Sequence, residues 1–141
     1  MNSRTTIRAA FAAQLTGLHT TGARVYTSRT RQINDADLPC ILVFSGESTV
    51  EESEYGMPTP VTLTYQLRAD ILVKSSLGSE NTADQVLSEI LASLFASESA
   101  NTLQGTVDTL SLLQIGAPEM DPSIDQPVVR LPVLFATRLI Y

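Results

Sequence analysis

The sequence predicts an α+β fold: a mixed, largely antiparallel sheet, two main helices packed on one of its faces, and a projecting hairpin or long loop. Three patterns predict it. From Val61 to Val73, the residues Val61, Leu63, Tyr65, Leu67, Ala69, Ile71 and Val73 fall on one side and mostly polar residues on the other, a period that only a strand has. Val86, Leu87, Ile90, Leu91, Leu94 and Phe95 repeat at three and four, the period of a helix. Val129, Leu131, Val133, Phe135, Leu139 and Tyr141 then alternate to the last residue.

In chain order, Ser3 caps a first helix in which Ile7, Ala10, Phe11, Leu15 and Leu18 are helically spaced, with Gly17 and Gly22 marking its end. Its apolar stripe is narrow, so the helix covers a sheet face. A short strand, Arg24 to Thr27, leads into the polar segment Ser28 to Asp37. Leu38-Pro39 opens the next strand, because the residue before proline is driven towards extended geometry and proline suits a strand's first position. Cys40 to Phe44 follows without alternation, which predicts a central strand buried on both faces.

Gly46 to Pro60 reads as an excursion too long for an ordinary hairpin loop, carrying Glu47, Glu51, Glu52 and Glu54, no basic residue, and Tyr55. With the long strand that follows, it predicts an extended hairpin whose tip stands away from the core. Thr82 and Gln85 stand in capping-box spacing ahead of the second helix. Ser97 to Gly105 breaks that helix, Val107 to Ile115 is a strand, and Gly116 to Pro127 is a second acidic loop containing Glu119, Asp121 and Asp125. In the final strand Pro132 cannot donate to a ladder, which favours an edge or a bulge there.

The strand Val61 to Val73 would be ~44 Å long, whereas a compact chain of this size has a diameter of about 37 Å. Either the strand bends, or one end leaves the globule and meets another chain. Assembly is therefore the first functional expectation.

A length of 141 residues fits one domain, 1–141, and such a domain buries about two-thirds of its unfolded surface. Cys40 is the lone cysteine, so no intrachain disulfide is available, and within its apolar run it reads as a small buried hydrophobe. No run reaches the ~20 apolar residues that span a bilayer, and the N-terminus has no signal-peptide core, so the expectation is a soluble protein made in the cytoplasm, with no membrane partner. Net charge is −6, yet residues 1–31 hold Arg4, Arg8, Arg24, Arg29 and Arg31 and no acid. Two readings fit: a basic surface that faces the acidic surface of another copy, or a solvated helix and loop.

Catalytic signatures are missing from the sequence. His19 is the only histidine and Cys40 the only thiol, which excludes a zinc site of the usual ligands within one chain. Glu51, Glu52 and Glu54 lack the spacing of a calcium loop. No phosphate-binding glycine loop or nucleophile elbow occurs. The expectation is no enzyme activity, no cofactor and no metal. An acidic chain without tryptophan is also a poor candidate for a sequence-specific nucleic-acid reader.

One run resembles a known family. Ile33 to Glu47, Ile-Asn-Asp-Ala-Asp-Leu-Pro-Cys-Ile-Leu-Val-Phe-Ser-Gly-Glu, is preceded by the Ile7 to Leu18 helix and followed by the acidic arm. Together with Leu67 to Val73, the helix around Ala83 to Phe95 and the strand that closes near Tyr141, it resembles the minor tail protein U family, the tail terminators of lambda-like bacteriophages.

That resemblance implies a structural virion protein, assembled in the host cytoplasm and sited at the head-proximal end of the tail. It implies a ring, typically of six subunits, that caps the tail-tube protein, stops polymerisation and offers a surface to the head-completion or connector protein. DNA passes through the lumen without being bound specifically, and an acidic lining suits that passage because like charges repel. The family carries no catalytic residue. Within this expectation Arg24, Arg29 and Arg31 lie near a subunit or tube interface, Glu47, Glu51, Glu52 and Glu54 lie on the projecting arm, and Tyr55 anchors an interface. Another neck or tail-completion connector, a tail-tube subunit, and a monomeric α+β binding domain are the alternatives.

Overall fold

Among the described residues of the computed structural model, nine elements follow one another: α1 (Arg4–Leu15), β1 (Val25–Tyr26), β2 (Cys40–Glu52), β3 (Val61–Lys74), α2 (Ser79–Leu94), α3 (Glu98–Asn101), β4 (Thr109–Ile115), β5 (Glu119–Asp121) and β6 (Val128–Ile140). The structure describes residues 4–27, 37–52, 61–75, 78–121 and 128–140. Six strands form one sheet in the order β1-β2-β3-β6-β4, with β5 also paired to β6. Among the described residues only β1 and β2 run parallel, and the other pairs are antiparallel. The mixed, largely antiparallel α+β class expected from the sequence holds.

Alternation along β3 and β6 creates two unlike faces. On the helix face, Tyr65, Leu67, Ala69, Ile71 and Val73 of β3 join Leu131, Val133, Phe135 and Leu139 of β6 in the main core. Ile7, Phe11 and Leu15 of α1 and Ala83, Val86, Ile90 and Leu94 of α2 are buried against them. These helical residues recur at three- and four-residue spacing, so each helix offers one stripe and needs only one sheet face. The opposite face carries a smaller cluster of Cys40, Leu42, Leu72 and Val128, with Tyr26, Leu38 and Phe44 packed on it. Cys40 to Val43 are buried, as the unbroken apolar run predicts for a strand covered on both sides.

The length of β3 is accommodated differently from expectation. Its neighbours are equally long: β2 has 13 residues, β3 14 and β6 13. β3 pairs with β6 in unbroken register from Thr62↔Ile140 to Lys74↔Val128, and with β2 from Cys40↔Leu72 to Glu52↔Val61. Both its edges are therefore satisfied inside one chain, and its hydrogen bonds call for no second copy. Of the expected excursion Gly46 to Pro60, the part up to Glu52 is strand as well, and residues 53–60 lie outside the described residues. A bulge sets Gly46 and Glu47 against Gln66, after which Ser48 to Glu52 continues the hairpin. A Cβ on Gly46 would lie 2.9 Å from Cβ of Gln66, so the strands approach there only because the residue is glycine.

Other boundaries differ for identifiable reasons. α2 begins at Ser79, a turn before the expected capping box, with Gly78 at φ 84 and no side-chain cap. Glycine adopts that left-handed conformation at low cost, and Glu80 in the first turn suits the helix dipole. Thr82 instead donates its hydroxyl to the Gly78 carbonyl at 3.4 Å. The break after α2 holds the short helix α3, whose Ser97 hydroxyl accepts from the Ala100 amide at 3.1 Å. The second acidic loop holds β5. Pro132 lies inside the sheet, not on its edge: its carbonyl accepts from the Gly116 amide, so its nitrogen also points to that side, at the gap between β4 and β5 where no donor is needed. Ser3 and residues 28–36 lie outside the described residues.

Polar pairs tie the layers together. Gln14 on α1 donates to the Ser93 hydroxyl of α2 at 3.2 Å, and that hydroxyl donates to the Gln14 carbonyl at 3.1 Å. Both the amide and the hydroxyl of Thr20 donate to Glu89. Burial pushes the Glu89 carboxyl up, but the two Thr20 hydrogen bonds, Gln85 and the charge of His19 outweigh it and leave the group below its ordinary value.

Candidate assembly interface

Past the bulge, the β2–β3 hairpin forms an arm. On β3 burial is complete from Ala69 to Leu72 and only partial from Val61 to Thr64, although pairing continues to the end. On β2 the residues Glu47, Ser48, Thr49 and Val50 are exposed. The base of the arm is clamped by α1. Arg4 donates to the Gly46 carbonyl at 3.2 Å with its guanidinium 5.0 Å over the Tyr65 ring, and Arg8 donates to the Ser45 hydroxyl at 2.8 Å. Ser45 and Tyr65 share a further hydrogen bond. Two cations of the basic N-terminal segment thus serve their own chain's bulge.

Each expected interface residue within the described segments has a definite place. Arg24 is half-buried and donates to the Pro39 carbonyl and the Thr20 carbonyl, both at 2.9 Å, which pins the turn after α1 to the start of β2. Glu47 is exposed on the bulge. Glu51 and Glu52 sit on the arm opposite Thr62 and Val61. Arg29, Arg31, Glu54 and Tyr55 lie outside the described residues. The structure therefore unites Glu47, Glu51 and Glu52 on one arm and places Arg24 at the opposite end of β2.

An ion network escaped the sequence reading. Asp70 is wholly buried on the face away from the helices; Arg68 donates to its Oδ1 at 2.6 Å and Arg130 to its Oδ2 at 2.7 Å. Arg130 is nearly buried as well, while the Arg68 side chain keeps 43% of its surface. The network floors a groove of about 360 Å³ that Phe44, Glu47 and Gln66 also line. Two guanidinium groups on one carboxylate satisfy both oxygens, as a buried acid requires. The arrangement holds β3 to β6 and offers neither a nucleophile nor a general base.

Cys40 has the opposite character to a reactive thiol. Burial pushes it from 9.0 up to about 12, the nearby Asp37 carboxylate adds to the rise, and Arg24 and Arg130 oppose it. Between about pH 9 and 12 the unfolded chain loses this proton while the folded chain keeps it, so stability falls over that window. Urea unfolding at pH 7 and pH 10 is expected to show a loss at the higher pH that Cys40→Ala reduces; an identical loss in the variant contradicts the assignment. His19 is exposed in the turn after α1. Among the described residues no group of three or more His, Cys, Asp or Glu is placed to hold a metal ion, and no helix is long and apolar enough to cross a membrane.

No protein-family profile matches the chain, and no curated protein matches it. Among solved structures, a chain from the virion of a native gene transfer agent particle is similar at 12% identity and a TM-score of 0.43, over 94% of this chain and 86% of that one.

Proposed function

We propose that this chain is a structural virion protein, a tail terminator that closes into a ring, caps the tail tube, halts its growth and presents the surface to which the head attaches. The observation that carries the reading is the arm. Its strands pair as far as Glu52↔Val61, yet Glu47 to Val50 are exposed and Val61 to Thr64 only half-buried, and ordering each residue costs ~1–2 kcal/mol of conformational entropy. Contacts outside the chain are what offset that cost. The acidity of Glu47, Glu51 and Glu52 suits a surface along which DNA passes without adhering.

In this reading the arm meets the tube or lines the lumen, with Glu54 and Tyr55 continuing it. Arg29 and Arg31 lie near a subunit or tube contact, whereas Arg24, engaged by two carbonyls, positions the segment that carries them. The partners are further copies of the chain, the tube protein and a head-completion protein; no enzyme chemistry is assigned. Deleting the gene from the phage that encodes it is expected to give overlong tails. Tails of normal length left unattached to heads would contradict termination and assign the chain to the neck.

A further inference from the structure

β4 ends the sheet without the charges that ordinarily guard such an end. From Thr109 to Pro118 the chain carries no charged residue, and six of the seven residues of β4 are exposed, with Leu112, Leu113 and Ile115 keeping 37%, 50% and 44% of their surface. Only the bulge at Leu113 interrupts it. A long apolar edge of this kind is a template for another strand. The opposite end of the sheet is open too. β1 pairs with Ile41 and Leu42 alone, and among the described residues no strand lies on the outer side of Ser48 to Glu52.

We infer that β4 of one copy adds to the outer edge of the β2 arm, Ser48 to Glu52, of a second copy, so that the sheet runs on from subunit to subunit. The inference deepens the ring reading and rests on it. Strand direction selects this partner. β2 runs towards the tip of the arm and β4 runs away from it, because Thr109 stands beside Arg138 and, across β6, Thr64, while Ile115 stands beside Val133 and Ala69. Two copies side by side with their arms pointing the same way therefore present antiparallel edges, the stronger pairing.

Charge selects it as well. Arg138 is exposed at the tip end of β4 and makes no ion pair among the described residues, and the neighbour's Glu51 and Glu52 stand at that same end. Pairing two arms with each other would instead set acid against acid. Side-chain character agrees. Val50 keeps 59% of its surface, and it lies on the helix face of its sheet, opposite Leu63, as Leu112 does opposite Phe135. With the tips level Val50 would stand at the row of Asp108; with β4 slid four residues towards the neighbour's tip Leu112 stands across from Val50, and these two apolar residues cover one another. The contact is heterologous: each copy gives one edge and receives on the other, so it repeats until the rotation closes a ring.

Facing residues of an antiparallel pair have Cα atoms ~4.5–5.5 Å apart, within the range a disulfide spans. The test is therefore the double variant Val50→Cys/Leu112→Cys, oxidised with diamide and run on a non-reducing gel beside each single variant, with sedimentation velocity on the wild type. The expected result is a ladder of covalent multimers from the double variant and a monomer band from each single variant. Dimers from Leu112→Cys alone would mean that the edge pairs with itself, and overturn the inference. A multimeric wild type without a ladder overturns it while leaving the ring reading intact. A wild type that sediments as a monomer at every concentration overturns the ring reading itself.

Discussion

Asp70→Ala is expected to cost ~3–5 kcal/mol, because it removes the wholly buried carboxylate to which Arg68 and Arg130 donate at 2.6 and 2.7 Å. A domain of this kind has about 5–15 kcal/mol in all, so the variant is expected to lose a large share of its stability. The companion changes separate the causes. Arg68 is almost half-exposed, and Arg68→Ala is expected to cost roughly 1 kcal/mol or less, since an exposed cation gains little from its partner. Asp70→Leu with Arg130→Met removes both buried charges and is expected to recover most of the loss, as apolar replacements of buried ion pairs often do. Urea unfolding of the wild type and these variants measures all of this. A cost below about 1 kcal/mol for Asp70→Ala would mean that the network does not hold β3 to β6.

Phe135→Ala is expected to cost ~3–5 kcal/mol by cavity formation. Phe135 is fully buried on β6 between Leu67 of β3 and Leu112 of β4, and its ring meets that of Phe11 edge-on with centroids 5.4 Å apart. The contact joins α1 to the middle of the sheet. A double-mutant cycle with Phe11→Ala is expected to give a coupling of about 0.5–1.5 kcal/mol, the usual worth of an aromatic pair beyond its burial. Purely additive losses would show that α1 is seated by Ile7 and Leu15 instead.

Elements with a strong periodic signal are legible in the amino-acid sequence alone. β3, β6 and α2 alternate or repeat over ten residues or more, and each lies where its pattern puts it. The arm is half legible. Glu47 to Glu52 has too few apolar residues to read as a strand, because its pairing is supplied by β3 and not by its own burial. α3 and β5, with 4 and 3 residues, are too short for a period to show. Asp70 is hidden by the rule that works elsewhere: in an alternating strand it counts as a solvent-facing residue. Its register neighbour on β2 is Leu42, within the very run whose continuity implies cover on both faces. The unguarded edge is invisible for another reason, since Thr109 to Ile115 reads alike whether central or last in a sheet, and only the strand order decides.

Split charge is the least faithful signal. Arg4, Arg8 and Arg24 all bind groups of their own chain, two at the bulge of β2 and one at its start. Acidity on the arm and an uncharged edge on β4 are what remain for recognition between molecules. Whether these surfaces join copies of the chain into a closed ring is tested most directly by native mass spectrometry of the purified protein over a hundredfold range of concentration, with and without added tube protein. A single closed species of fixed copy number, expected to be six, is the predicted result; a monomer under every condition would contradict it.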